Sequence, residues 1–181
     1  MTEPEAPPRA ATKPLDVEDV FRTHFGYVFN TLRRLGVREA DLPDLTHDVF
    51  VVVHRKSDHY DPTRPLKPWL FGIAANAAAD YRRRASHRRE RMDDEAEAWD
   101  ETTPVDEKLA KRERRDLVIE ALRAVDESRL PVFVMHEIDG VAMPEVAEAL
   151  EIPLNTGYSR LRLARDEFKA AVKRLELRRA R

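Results

Sequence analysis

The chain has 181 residues, enough for one medium domain or two small helical ones. It has no cysteine, which excludes disulfides, thiolate zinc sites and cysteine nucleophiles and suits a reducing cytosol; 5 Gly against 36% charged residues leave little material for hairpins or phosphate-cradling loops. The net charge of −2 hides an uneven distribution: residues 15–91 and 108–181 carry +3 each, and residues 93–107 carry −8.

Residues 1–14 hold Pro4, Pro7, Pro8 and Pro14, have almost nothing apolar and lack the apolar core of a secretion signal, so they read as a disordered tail. No apolar run approaches the roughly 18 residues of a membrane span, so no membrane insertion is expected. From Asp16, Val17, Val20, Phe21, Phe25, Val28, Leu32 and Leu35 keep helical spacing up to Gly36, which predicts one amphipathic helix with a glycine stop. A second helix is predicted from an Asp41 N-cap through Pro43 to about Lys56, with Leu45, Val49, Val52 and Val53 inward. Pro62, Pro65 and Pro68 exclude a helix across 60–68. A third helix follows from about Pro68 to Arg91, with an inward stripe of Trp69, Leu70, Ile73, Ala74, Ala77 and Tyr81 and six arginines between 82 and 91. These helices form a first domain, 15–91.

Residues 92–107, with eight acids and a single Trp99, read as a flexible acidic linker. The second domain, 108–181, begins with a charged helix over 109–125 and a short apolar helix over 130–138, broken by Asp139-Gly140. A short helix over 143–150, a turn at 151–155 and a long helix capped by Asn155 or Thr156 then make a helix-turn-helix pattern. The start of such a second helix enters the major groove, where arginine pairs with guanine edges and hydroxyl side chains reach bases or phosphates. The fold expected is all-α: two small helical domains, each with its own core.

Three ordered segments resemble bacterial RNA polymerase sigma factors of the extracytoplasmic-function (ECF) class. Asp44-Leu45-Thr46-His47-Asp48-Val49-Phe50 is similar to that family's DLTQEVF segment. Trp69-Leu70-Phe71-Gly72-Ile73-Ala74-Ala75-Asn76, followed by Asp80-Tyr81-Arg82-Arg83, is similar to WLxxIAxNxxxDxxRR. Val146–Leu150, Ile152–Thr156 and Ser159–Arg165 resemble EIAEALGIPxGTVxSRLxRAR. The resemblance implies a region 2-like first domain and a region 4-like second domain, with core RNA polymerase (β′ clamp helices and β subunit), promoter DNA and an anti-sigma factor as partners. It implies polymerase docking through Asp44, His47 and Asp48, which share a helix face by spacing. It places −10 strand opening at Lys67, Asn76, Arg82 and Arg83, and −35 reading at Thr156, Tyr158, Ser159, Arg160 and Arg162, with Arg165 nearer the DNA backbone.

The chain departs from the pattern at four places. His47 stands where glutamine is usual, Pro131 where a polar residue is common early in a helix, Glu151 where the turn prefers a glycine able to take positive φ, and Gly157 where valine is usual. Gly157 shares a face with Leu161, Ala164 and Phe168, so a valine there is expected to add buried surface against Val146 and Leu150 and raise stability. Two other functional classes make different demands on the sequence. The six histidines form no HExxH pair, so neither catalysis nor a metal or other cofactor is expected. A stand-alone helix-turn-helix regulator would bind its DNA without polymerase.

Overall fold

The structure, a computed structural model, describes residues 15–89 and 107–179. The tail 1–14 and most of the acidic linker lie outside the described residues. Among the described residues there is no strand; seven α-helices carry the fold.

Helix α1 (Val17–Arg34) starts where the Asp16 carboxylate accepts the Asp19 backbone N–H at 3.1 Å. It stops at Gly36, whose φ of 87° lets the Val37 N–H reach the Leu32 carbonyl at 3.1 Å. Helix α2 (Leu42–Lys56) lacks the side-chain cap expected of Asp41. That carboxylate instead accepts the Tyr81 hydroxyl and the Arg38 guanidinium, tying the start of α2 to α3 (Leu66–Arg89). The hydrogen bond to Asp41 and, more strongly, burial push the Tyr81 phenol above its ordinary range, so it remains a donor. Helix α3 begins two residues before the predicted Pro68, which a first turn tolerates.

Burial corrects the predicted stripes. On α2 the buried set is Leu42, Thr46, Val49, Phe50 and Val53, with Leu45 and Val52 only partly covered. Thr46 is accommodated because its hydroxyl donates to the Leu42 carbonyl at 2.7 Å. Phe21 and Phe25, expected inside, are 40% and 36% exposed and lie as a lid over Phe50. On α3, Phe71, Gly72, Ala75 and Ala78 are buried along with Leu70, Ile73 and Ala74, so the first half of the helix is covered on more than one side.

The second block opens with α4 (Glu107–Leu122). Then α5 (Leu130–Phe133) runs directly into a π-turn (Val134–Ile138), in which the Asp139 N–H reaches back five residues to the Val134 carbonyl at 3.1 Å. Helices α6 (Met143–Ala149) and α7 (Leu154–Arg179) follow. The predicted cap at Asn155 or Thr156 is corrected: the helix already includes Leu154, and the Gly157 N–H bonds to the Pro153 carbonyl at 3.0 Å. Along α7, Gly157, Leu161, Ala164 and Ala171 form the buried seam, and the Phe168 ring lies tilted against Phe133 with centroids 4.9 Å apart.

Two separate cores were expected. The buried residues form one continuous cluster instead, running from Val20 to Ala164 through both blocks. The junction is where α3 meets α6. A Cβ on Gly72 would stand 2.5 Å from the Ala149 carbonyl oxygen, so only glycine admits this approach.

Candidate functional sites

The first candidate surface is the outer side of α2. Asp44, His47 and Asp48 are all exposed, one turn apart, and Val49 and Val53 behind them are fully buried. The apolar side anchors the helix, which leaves two carboxylates and an imidazole on a firm backbone facing solvent.

The four residues assigned to the second surface do not share one face. At about 100° per residue, Asn76 and Arg83 point the same way along α3, whereas Lys67 points to the opposite side and Arg82 follows Lys67. Asn76 is exposed, and Arg83 is exposed and paired with Asp80 one turn earlier. The Lys67 ammonium lies 5.7 Å from the centroid of the Tyr27 ring on α1. Arg82 donates to the Leu35 carbonyl at the end of α1 and lies 3.5 Å from Glu127 of the second block, its side chain only 14% exposed. It therefore satisfies an orphan helix carbonyl and bridges the blocks. The loop before α3 is ordered locally. The Asp61 carboxylate accepts both the hydroxyl and the N–H of Thr63, which lower its pKa, and the Tyr60 ring lies against Trp69 with centroids 4.9 Å apart. Trp69 packs against the core with part of its surface open.

The third surface is the first half of α7. Tyr158, Ser159, Arg162 and Arg165 are exposed on one side of the helix. Thr156 and Arg160, one turn apart, are half-buried on its flank. Arg160 adds its charge there to the Ser128 hydrogen bonds, the leading cause, that hold the Asp126 carboxyl below the usual range. Arg165 is engaged by Glu137 of the π-turn through two N–H groups, at 2.6 and 2.9 Å. The Ser159 hydroxyl donates to the Thr156 carbonyl at 3.0 Å.

The turn joining α6 to α7 has the strain foreseen at Glu151, whose φ is +52°. A left-handed residue with a Cβ costs roughly 1–2 kcal/mol. Glu151→Gly is therefore expected to raise the melting temperature by about 2–4 °C, the scale of 1 kcal/mol in a chain of this size, as followed by circular dichroism.

At Gly157 the structure reverses the expected gain. The neighbour is Met143, whose sulfur would lie 2.8 Å from an added Cβ, and Met143 is itself 2% exposed. The thioether already fills the space a valine would take. Gly157→Val is expected to destabilise the chain by about 1–3 kcal/mol through overpacking, and adding Met143→Ala should restore part of the loss. A higher melting temperature for the single variant would contradict this packing.

Residues that no motif pointed to join the blocks. Tyr27 and Arg34 on α1 meet Asp139, and Arg64 lies 2.7 Å from Glu148. The first two pairs are 112 and 105 residues apart in sequence, beyond the reach of any local pattern.

Comparison with known proteins places this arrangement. The family described as Sigma-70 region 2 matches residues 20–88, that is, α1 through α3. The chain is 30% identical to RNA polymerase sigma factor CnrH of Cupriavidus metallidurans, over 76% of each chain. It is 26% identical to the ECF RNA polymerase sigma-E factor of Escherichia coli K12, over 77% of this chain and 78% of that one. Among solved structures, CnrH in complex with the cytosolic domain of CnrY matches with a TM-score of 0.61 at 26% identity, covering 87% of both chains. The sigma factor RpoE in complex with the anti-sigma factor NepR from Bartonella quintana shares the fold, with a TM-score of 0.69 at 19% identity over 87% of this chain and 97% of that one. The chain accordingly belongs to the ECF RNA polymerase sigma factors, proteins that bind RNA polymerase and direct transcription initiation at particular promoters.

Proposed function

We propose that the three surfaces divide the work of initiation. The exposed face of α2, with Asp44, His47 and Asp48, docks on the β′ clamp helices of core polymerase. Helix α3 and the loop before it hold the opened −10 strand, with Asn76 and Arg83 on the available face and Lys67 and Arg82 on the other. The start of α7 reads the −35 element through Tyr158, Ser159 and Arg162, with Thr156 and Arg160 at its flank and Arg165 on the DNA backbone once it leaves Glu137. Domain assignment follows: residues 15–91 act as region 2, 92–107 as the connecting strip and 108–181 as region 4.

The observation that carries this reading is the separation of roles along each helix. Helices α2 and α7 spend their apolar side on the core and keep a polar set on the side away from it, and on α3 Asn76 and Arg83 hold that outward position. An extruded base costs a few kcal/mol of unstacking, which a pocket and phosphate contacts must offset, so donors on a rigid helix suit the −10 task. An anti-sigma partner is proposed because both structural neighbours are complexes, CnrH with CnrY and RpoE with the anti-sigma factor NepR. The work would take place in the cytoplasm, where the polymerase is. Among the described residues no helix is long and apolar enough to cross a membrane.

Transcription in vitro with core polymerase on a genomic promoter library tests the reading. The expected result is promoter-specific transcripts only when this chain and core enzyme are both present. Tight, specific duplex binding by the chain alone, with no gain from polymerase, would instead make it a stand-alone regulator.

A further inference from the structure

We propose that Leu154 and Tyr158, at the tip of α7, read thymine 5-methyl groups in the major groove, so that this chain selects promoters with thymine instead of cytosine where the pair lands. The inference rests on the reading of α7 as the −35 surface, and it adds Leu154 to that surface.

An exposed apolar side chain standing alone is ordinary, whereas a neighbouring pair rimmed by polar groups marks a contact surface. Among the described residues five large apolar side chains are exposed: Phe21 and Phe25 on α1, Leu177 near the end of α7, and Leu154 and Tyr158 at its start. Phe21 and Phe25 already lie against Phe50. Leu154 and Tyr158 are 42% and 53% exposed and, being four residues apart, are neighbours on one side of the helix. The buried seam of α7 runs through Gly157, Leu161, Ala164 and Ala171 and uses neither of them.

Charge identifies what covers the pair. Farther along the same side of α7 come Arg162, Arg165 and Lys169, all exposed, so the strip begins apolar and continues cationic. Duplex DNA matches that order, because it is a polyanion whose major groove carries one apolar group, the thymine methyl. Polar groups near the tip are in part occupied. Ser159 uses its hydroxyl hydrogen on the Thr156 carbonyl at 3.0 Å, and Arg165 is held by Glu137. Cytosine in place of thymine removes the methyl and sets an amino donor against the apolar pair, where its lost water is not replaced. The helical rise separates Leu154 from Tyr158 by about 6 Å along the axis, close to two base steps of about 3.4 Å each. Arg162 stands one turn farther on, suited to a guanine. The expected element therefore carries thymine at one or two nearby positions, with the guanine to one side.

The test uses holoenzyme assembled from the full chain and core RNA polymerase, with a promoter selected from a library randomised across the −35 segment. Deoxyuridine replaces each thymine there, one position at a time on either strand, which removes only the 5-methyl group. Competition binding should show a loss of about fourfold at one or two neighbouring positions, the worth of one buried methyl-sized group. Leu154→Ala and Tyr158→Ala should each abolish the loss at one position. Tyr158→Phe should keep it, which separates a methyl contact from a hydrogen bond of the hydroxyl. The deoxyuridine arm uses the unaltered chain, so it decides even if a variant loses helicity.

A selected −35 element without thymine, or no loss with deoxyuridine at any position, overturns the proposal. So does a loss that persists in natively helical Leu154→Ala and Tyr158→Ala, or a fall in core-polymerase affinity in these variants with base preference intact, which would place the pair on a protein partner. Arg162→Ala checks the underlying reading separately. If the −35 footprint survives that change, the role of α7 fails; a lost footprint with silent deoxyuridine positions removes the methyl reader alone.

Discussion

Asp44→Arg combined with Asp48→Arg is expected to lower affinity for core RNA polymerase by about 100-fold or more, with native helicity retained. Placing like charges across a contact costs several kcal/mol, and each 1.4 kcal/mol is about tenfold in affinity. Folding should be spared because both side chains are exposed, and α2 is anchored by Leu42, Thr46, Val49, Phe50 and Val53 on its other side. His47→Ala should cost less, since it removes a side chain without reversing a charge. Competition binding against the wild-type chain, with circular dichroism as the folding control, makes the measurement. Unchanged affinity in a natively helical double variant would move polymerase docking away from α2.

Damage to the two DNA surfaces should separate binding from opening. Arg162→Ala is expected to weaken −35 recognition by about 1–3 kcal/mol and relax base preference at one position, the cost of losing a bidentate contact to guanine. Arg160→Ala should cost less, because Arg160 is half-buried on the flank of the helix, whereas Arg162 is exposed beside Tyr158 and Ser159. Asn76→Ala should leave duplex recruitment intact and reduce strand opening, visible as lost permanganate reactivity in the −10 segment while the −35 footprint persists. A normal permanganate pattern in Asn76→Ala would remove Asn76 from the opening surface, and equal losses for Arg160 and Arg162 would contradict the geometry of α7.

Features set by neighbours in sequence were legible before any coordinates. The stop at Gly36, the turn strain at Glu151, the break at Gly140 and the exposed row Asp44, His47, Asp48 follow from local backbone preference and helical spacing. The failures share a cause, which is that a side chain found a partner from a distant element. Asp41 reads as a helix cap yet serves Tyr81, and Arg82 reads as a free DNA donor yet closes the end of α1. The α3 stripe is wider than periodicity indicates, because periodicity identifies one buried face while α3 has α1 and α2 on one side and α6 on another. Gly157 differs from expectation for the same reason: spacing identifies the seam but not the methionine occupying it.

The π-turn at Val134–Ile138 makes the joining of the blocks a matter of chain register. A π-turn is an α-helix carrying one surplus residue, and each residue in a helix advances the direction of the next side chain by about 100°. Loss of a single residue between Val134 and Ile138 would let α5 continue as an ordinary helix and swing Asp139 away from Tyr27 and Arg34, with no change to either partner. An insertion or deletion of one codon there is therefore a route by which a descendant of this protein could change how firmly its two halves are held together while both keep their own binding surfaces.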